Sequence, residues 1–83
     1  MVRVRLFAVL RELAGAPQAE VTGRTVGELA DALAETHGER FAQIVGVSSF
    51  VVNGERASRE TVVADGDEVA ILPPVSGGCS ASI

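Results

Sequence analysis

Residues 68–78, Glu68-Val69-Ala70-Ile71-Leu72-Pro73-Pro74-Val75-Ser76-Gly77-Gly78, run an apolar strand into a proline pair and then a glycine pair. Alternation puts Val69 and Ile71 on one face of that strand and Ala70 and Leu72 on the other. The prolines fix φ and offer no N–H to a neighbouring strand, so the chain has to leave the sheet here as an extended arm. Gly77 and Gly78 carry no Cβ, so a partner can close around their backbone where any other residue would clash. Such a pair is by itself more often an ordinary frayed chain end. What precedes it has to decide between the two.

Ahead of the strand, Asp65-Gly66-Asp67 marks a turn, entered from Thr61-Val62-Val63. Further back, Phe50-Val51-Val52 predicts a strand, Asn53-Gly54 a tight hairpin turn, and Glu55 to Ala57 a very short return strand. At the other end of the chain, Val2, Val4, Leu6 and Ala8 alternate with Arg3, Arg5, Phe7 and Val9, which predicts a strand over 2–9 with one face buried. With Val2, Val4 and Leu6 inward, Phe7 stands beside Arg3 and Arg5 on the outer face. Leu10 to Ala16 predicts a single helical turn ending at Gly15, and Gln18 to Thr22 a second strand, with Pro17 tolerated at its start.

Thr25-Val26-Gly27-Glu28 has the spacing of a capping box, in which the Thr25 hydroxyl accepts from the Glu28 amide and the Glu28 carboxylate accepts from the Thr25 amide. A helix therefore starts at Val26. Val26, Leu29, Ala30 and Leu33 form its apolar stripe, with Glu28, Asp31 and Glu35 on the other side. His37 complements the negative helix end, and Gly38 suits a left-handed C-cap. Phe41, Ile44, Val45 and Val47 cluster as a broken helical turn under the sheet. The sum is a mixed sheet with a helix on one face, leaving the other face bare and carrying Phe7 and Leu72.

Composition removes most chemistry. A chain of 83 residues supports one core, and 47% hydrophobic with 22% charged residues describes a soluble globular domain. A net charge of -4 without a basic run argues against nucleic acid or an anionic membrane as the main partner. No apolar stretch is long enough for a transmembrane segment, and the first residues lack the apolar block of a signal peptide, so the expected location is the cytoplasm. One Cys excludes an internal disulfide, and one Cys with one His cannot hold zinc. Ser48-Ser49 has no nucleophile-elbow context, and Asp65, Asp67 and Glu68 lack calcium-loop spacing. All seven basic residues are arginine, so any lysine the chemistry needs must come from a partner. The chain reads as something acted upon.

Two blocks carry a resemblance. Leu6-Phe7-Ala8-x-x-Arg11-Glu12-Leu13-x-Gly15 near the start and Asp65-Gly66-Asp67-Glu68-Val69-Ala70-x-x-Pro73-Pro74-Val75-Ser76-Gly77-Gly78 near the end resemble the small subunit of molybdopterin synthase. The related thiamine-pathway sulfur carrier shares the Gly-Gly end but lacks the first block. The resemblance implies an α+β, ubiquitin-like β-grasp fold: a mixed sheet of four to five strands, one main helix on one face, and an extended tail. It implies a β-grasp domain over 1–75 and a flexible tail over 76–83. In that family the carboxylate of the second glycine, here Gly78, is adenylated by an activating enzyme that uses ATP, then converted to a thiocarboxylate. Pro73, Pro74, Val75, Ser76 and Gly77 are then the segment that threads into a partner, and Phe7, Leu72 and Arg11 the docking residues. The carrier itself binds no cofactor or metal. Its partners are the large subunit of the synthase and the activating enzyme. From Pro73 to Gly78 an extended arm spans about 20 Å at ~3.3 Å per residue, enough to reach into a neighbouring subunit.

One departure raises a question. Cys79-Ser80-Ala81-Ser82-Ile83 follow Gly78, whose carbonyl is therefore tied into a peptide bond. Either a protease trims after Gly78, or Cys79 attacks the preceding peptide bond, or the chain is no longer a carrier. No His or Lys neighbours Cys79 to lower its pKa, which favours the protease. Carriage for thiamine, cysteine or another sulfur-containing metabolite is the alternative pathway, and a non-carrier interaction module the alternative of another class.

Overall fold

The computed structural model describes residues 1–74; the tail residues Val75, Ser76, Gly77, Gly78 and Cys79, with the rest of 79–83, lie outside the described residues. The elements are β1 (Val2–Leu6), α1 (Val9–Ala14), β2 (Gln18–Val21), α2 (Val26–His37), α3 (Glu39–Val45), β3 (Ser49–Val52), β4 (Glu55–Ala57) and β5 (Glu68–Leu72). The sheet has five strands in the order β2-β1-β5-β3-β4. The apolar strand ahead of the tail is thus its centre. It runs parallel to β1, with Val4 opposite Val69 and Leu6 opposite Ile71, and antiparallel to β3, with Phe50 opposite Ile71.

Alternation decides which residues go inward. Val2, Val4 and Leu6 of β1 and Val69 and Ile71 of β5 are buried, while Arg3 and Arg5 between them are exposed. The buried stripe of α2 is Val26, Leu29, Ala30 and Leu33, and α3 adds Phe41 and Val45 to the same core. Fully burying one such side chain contributes about 1.5–3 kcal/mol. The ion pairs Arg5–Glu68 at 3.7 Å and Arg59–Asp31 at 2.8 Å are exposed, and pairs of that kind are worth roughly 0–1 kcal/mol. The core, not the surface charge, holds the fold.

The start of α2 shows how its free amides are satisfied. Val26 N–H donates to the Thr61 carbonyl (3.0 Å), Gly27 N–H to the Arg59 carbonyl (2.9 Å) and Glu28 N–H to Thr25 Oγ1 (3.3 Å). A helix leaves its first amides without internal partners, and here the loop at 59–61 supplies two of the acceptors. Gly27 permits that approach, since a Cβ there would lie 3.2 Å from the Arg59 carbonyl oxygen. The second arm of the expected capping box is displaced by one residue: the Glu28 carboxylate accepts from Arg24 N–H (2.8 Å), not from Thr25.

Three further expectations change. β1 ends at Leu6 rather than at 9, because Ala8 takes φ 53°, ψ -128° and the Leu10 amide turns back to the Phe7 carbonyl at 3.1 Å. The cluster after Gly38 is a seven-residue helix, α3, with Phe41 and Val45 buried and Ile44 packed against the core. Gly38 has positive φ (99°) but ψ -180°, so it is not the left-handed cap. It ends α2 and starts α3: its N–H donates to the Ala34 carbonyl (2.8 Å) and its own carbonyl accepts from Ala42 N–H (3.1 Å). Thr61–Val63, the segment leading to the turn at Asp65-Gly66-Asp67, contributes a single bridge, Thr25 to Val62. Among the described residues no helix is long and apolar enough to cross a membrane.

The β3–β4 hairpin closes through Asn53 (φ 50°) and Gly54 (φ 84°), the positive pair that a two-residue hairpin turn requires. Asn53 also ties this turn to the entry of β5. Its Nδ2 donates to Asp67 Oδ1 (3.2 Å), its Oδ1 accepts from Glu68 N–H (3.0 Å), and its own N–H donates to the Glu68 carbonyl (2.8 Å). Asp67 Oδ2 accepts from Ala64 N–H at 2.9 Å. That bond first, and the Asn53 amide second, hold the Asp67 carboxyl below its ordinary value of 3.8.

Two measurements test this account. Thr25→Ala is expected to lower the unfolding free energy by about 1 kcal/mol, seen as a shifted urea midpoint at unchanged slope. An unchanged midpoint would mean that the loop carbonyls alone cap α2. A carboxylate whose folded pKa is lowered contributes its full stability above the unfolded value and loses it as pH falls through the folded value. The gap in thermal midpoint between wild type and Asp67→Asn should therefore be widest near neutrality and close below about pH 4. Parallel profiles would remove Asp67 from the stability of this turn.

Candidate functional site

All three helices contribute buried residues to one core, so among the described residues no helix covers the opposite face of the sheet. The alternation that buries Val4 and Val69 turns their neighbours outward. In register across that face stand Arg5 opposite Ala70, Ala70 opposite Val51, and Val51 opposite Arg56, one row crossing four strands. Beside that row Leu72 lies opposite Ser49, with the Leu72 side chain 37% exposed.

Leu72 leads directly to Pro73 and Pro74, and the three form one wall of an open, mostly apolar groove whose other side carries Val47, Val51 and Arg56. Val47 is 67% exposed there. The groove therefore lies at the root of the tail. Pro73 brings no N–H to the sheet, and the pairing of β5 with β3 ends at Leu72. The last strand pair and the start of the arm thus occupy the same place.

Phe7 stands at the end of β1, half-buried, with the Arg5 guanidinium 5.7 Å from its ring centroid. A cation at that distance over an aromatic face is attracted by about 0.5–1 kcal/mol at an exposed site. Arg5 also approaches Glu68 Oε2 at 3.7 Å. Phe7 is thus a partly covered aromatic, not the bare one that alternation suggested. Its position depends on the corner at Ala8, whose positive φ is costly for a residue with a Cβ, roughly 1–3 kcal/mol. Arg11 lies in α1 with an exposed side chain, and the carbonyl of Arg11 accepts the Gly15 amide that closes this helix.

Arginines and small or branched apolar side chains make up the face. Among the described residues no group of three or more metal-ligating side chains is gathered. The described core contains no buried polar or charged residue, so no buried acid or base is set up for proton transfer. His37 packs its ring 5.1 Å from that of Phe41. The sequence reading placed Phe7 and Leu72 on this face, with Ala70 on the same side of its strand as Leu72, but it set Val47 under the sheet with Phe41, whereas Val47 is exposed, and it passed over Val51 and Arg56. Period-two alternation in β3 and β5 already marks Val51 and Ala70, whereas Arg56 is placed only by the pairing of β4.

Comparison with known proteins agrees with this architecture. The model of the ThiS family matches residues 4–78, so the match ends at Gly78. The chain is 38% identical over 84 residues to small archaeal modifier protein 1 of Haloferax volcanii, covering 89% of this chain and 97% of that protein. It is 38% identical over 82 residues to the molybdopterin synthase sulfur carrier subunit of Escherichia coli, covering 94% of this chain and all of that one. Among solved structures, a chain of the Amycolatopsis orientalis BexX/CysO complex superposes with a TM-score of 0.78 at 31% identity, covering 94% of this chain and 100% of that one. With its mixed five-stranded β-grasp sheet and a family match that spans almost its whole length, the chain belongs to the ThiS family of ubiquitin-like sulfur carriers.

Proposed function

We propose that this chain carries sulfur for molybdenum-cofactor synthesis, as a thiocarboxylate on Gly78. The observation that carries the proposal is that the family match stops at Gly78, four residues past Pro74, where the groove of the uncovered face begins. A carboxylate is a poor electrophile. An activating enzyme joins it to the α-phosphate of ATP, releasing pyrophosphate, and a sulfur donor then displaces AMP from the acyl carbon. The resulting C-terminal thiocarboxylate is a nucleophile that the side-chain-free Gly77-Gly78 end can deliver into an enclosed site. The carrier supplies the acyl group and the surface that docks, and each partner supplies the catalysis. The resemblance of the Phe7–Arg11 block and the identity to the Escherichia coli carrier subunit support the large subunit of molybdopterin synthase as one such partner. That a structural neighbour is found in a complex supports docking to a second protein.

Residues 79–83 lie past the family match and have to be removed before adenylation, which we assign to a separate protease. A second reading has its own support. The equal identity to a protein named as a modifier favours a different acceptor, either another sulfur-containing metabolite or a protein amine. The activation chemistry at Gly78 is the same in both.

Every described element and core residue lies within residues 1–74, so a chain stopped at Gly78 keeps the whole described fold. Mixed with activating enzyme, ATP and a sulfur donor, that shortened chain should gain the mass difference between sulfur and oxygen, while the full-length chain stays unmodified. In cells, Cys79→Ser should still be trimmed after Gly78. Loading of the uncut chain, or failure to process the serine variant, would overturn the assignment of a separate protease. Docking has its own test. Phe7→Asp should weaken binding to the large subunit by ~2 kcal/mol, about thirtyfold in Kd, with the urea midpoint of the free protein little changed. Unchanged affinity would place the docking face elsewhere.

A further inference from the structure

We propose that Arg56, together with the lysine-free surface around it, keeps the activated tail from acylating its own domain. The carrier then offers its own tail no side-chain amine; the one primary amine of the chain, at Met1, is paired with Asp65 at 2.7 Å. This rests on the reading that Gly78 is activated as an acyl adenylate. Such a species reacts with any neutral primary amine in reach. The amine nitrogen attacks the Gly78 carbonyl carbon, the bond from that carbon to the phosphate oxygen breaks, and AMP leaves with the electron pair. The nitrogen then loses a proton and an amide remains.

Geometry makes the reaction a real hazard here. Arg56 is exposed in the edge strand β4 and shares its groove with Leu72, Pro73 and Pro74. From Pro74, four residues reach at most about 14 Å to Gly78, at ~3.3–3.6 Å each. A group tethered on so short a segment meets its neighbours at an effective concentration on the order of millimolar. Against micromolar free protein, an amine on that wall would be acylated about a thousandfold faster by its own tail than by a second molecule. A guanidinium remains protonated, with a pKa above about 12, and offers no lone pair. A lysine amine, with a pKa near 10.4, would be neutral in a few parts per thousand of the molecules at about pH 8.

The contacts of the arginines do not otherwise account for the choice. Among the described residues the Arg56 side chain makes no ion pair or hydrogen bond. Arg59 meets Asp31 through a single nitrogen at 2.8 Å, a contact that a lysine could also make. Only Arg5, stacked on Phe7, uses the planar shape of its guanidinium. Positive charge alone would be served as well by lysine at Arg56, yet none of the seven basic residues is one.

The test needs no activating enzyme. Chains stopped at Gly78 and carrying a C-terminal 2-mercaptoethanesulfonate thioester are held at mildly alkaline pH and followed by intact mass. Wild type, Arg56→Gln and Arg40→Lys are compared with Arg56→Lys; Arg40 is exposed on α3, among the helices and away from the groove. Arg56→Lys should lose its thiol fastest, by tenfold or more, and yield a product lighter than the free acid by one water, with Gly78 joined to residue 56 in the fragment map. The other three should end as the free acid. Equal rates of amide formation in Arg56→Lys and Arg40→Lys, or acylation of the Met1 amine in wild type as fast as Arg56→Lys forms its amide, would overturn the proposal. In a parallel arm, pyrophosphate release by activating enzyme and ATP reports on Gly78 activation alone. Absence of pyrophosphate release there would count against the sulfur-carrier reading, while the thioester comparison still decides the role of Arg56.

Discussion

The parallel pairing of β1 with β5 is the constraint from which the rest of the molecule follows. Two parallel neighbours cannot be joined by a tight turn, so a long stretch of chain has to cross from one to the other. Here that stretch contains α2 and α3, whose Leu29, Leu33, Phe41 and Val45 share one core with Val4 and Val69. Putting all the apolar helical surface on one side of the sheet leaves only one layer's worth of cover. The other side is lined by what alternation left over: Arg3, Arg5, Val51, Arg56, Ala70 and Leu72. The bare face is therefore a product of topology before it is a product of function.

Much of this was legible in the residues because two periodicities are clean. Alternation marked β1 and β5, and the spacing of Val26, Leu29, Ala30 and Leu33 marked α2, since each pattern can bury only one face of one kind of element. The failures lie where a local rule met a competing contact. Ala8 ends β1 early, although nothing in an alanine announces positive φ; the corner is imposed by its neighbours. Phe41, Ile44 and Val45 do have helical spacing, but α3 is so short that its stability comes from packing on the core and not from propensity. Glu28 reached for the Arg24 amide instead of that of Thr25 because the loop at 59–61 also supplies acceptors to this helix start. Of the candidate site, Phe7 and Leu72 were readable from alternation. Arg56 was not, since the partner of a three-residue edge strand is a matter of tertiary pairing. Val75, Ser76, Gly77 and Gly78 were read from sequence alone and lie outside the described residues.

Arg5 helps keep the sheet face that carries it compatible with water. Its guanidinium rests over Phe7 while its charge faces solvent and Glu68, so an aromatic that a partner could bury is partly covered by a side chain that remains hydrated. Both contacts are weak, about 0.5–1 kcal/mol for the cation–π pair and less for the exposed ion pair. A partner that buries Phe7 gains several times as much from its apolar area. Cover of this strength protects the monomer without competing with the complex.

The division between core and tail would let the chemistry proposed for Gly78 proceed without disturbing the described fold. The described core is complete within residues 1–74, and the ladder between β3 and β5 closes at Leu72 opposite Ser49. Pro73 then denies the sheet a further donor, so β5 cannot extend itself along β3 into the tail. A strand that continued through residues 73–78 would tie Gly78 to the fold, and the proposed adenylation and sulfur transfer would first have to break ladder hydrogen bonds, each worth about 0.5–1.5 kcal/mol net. The proline pair removes that cost at the point where the groove begins. It also sets a boundary: Val69, Ala70 and Ile71 pair on both edges, Leu72 pairs with β3 alone, and Pro73 follows without an N–H to donate.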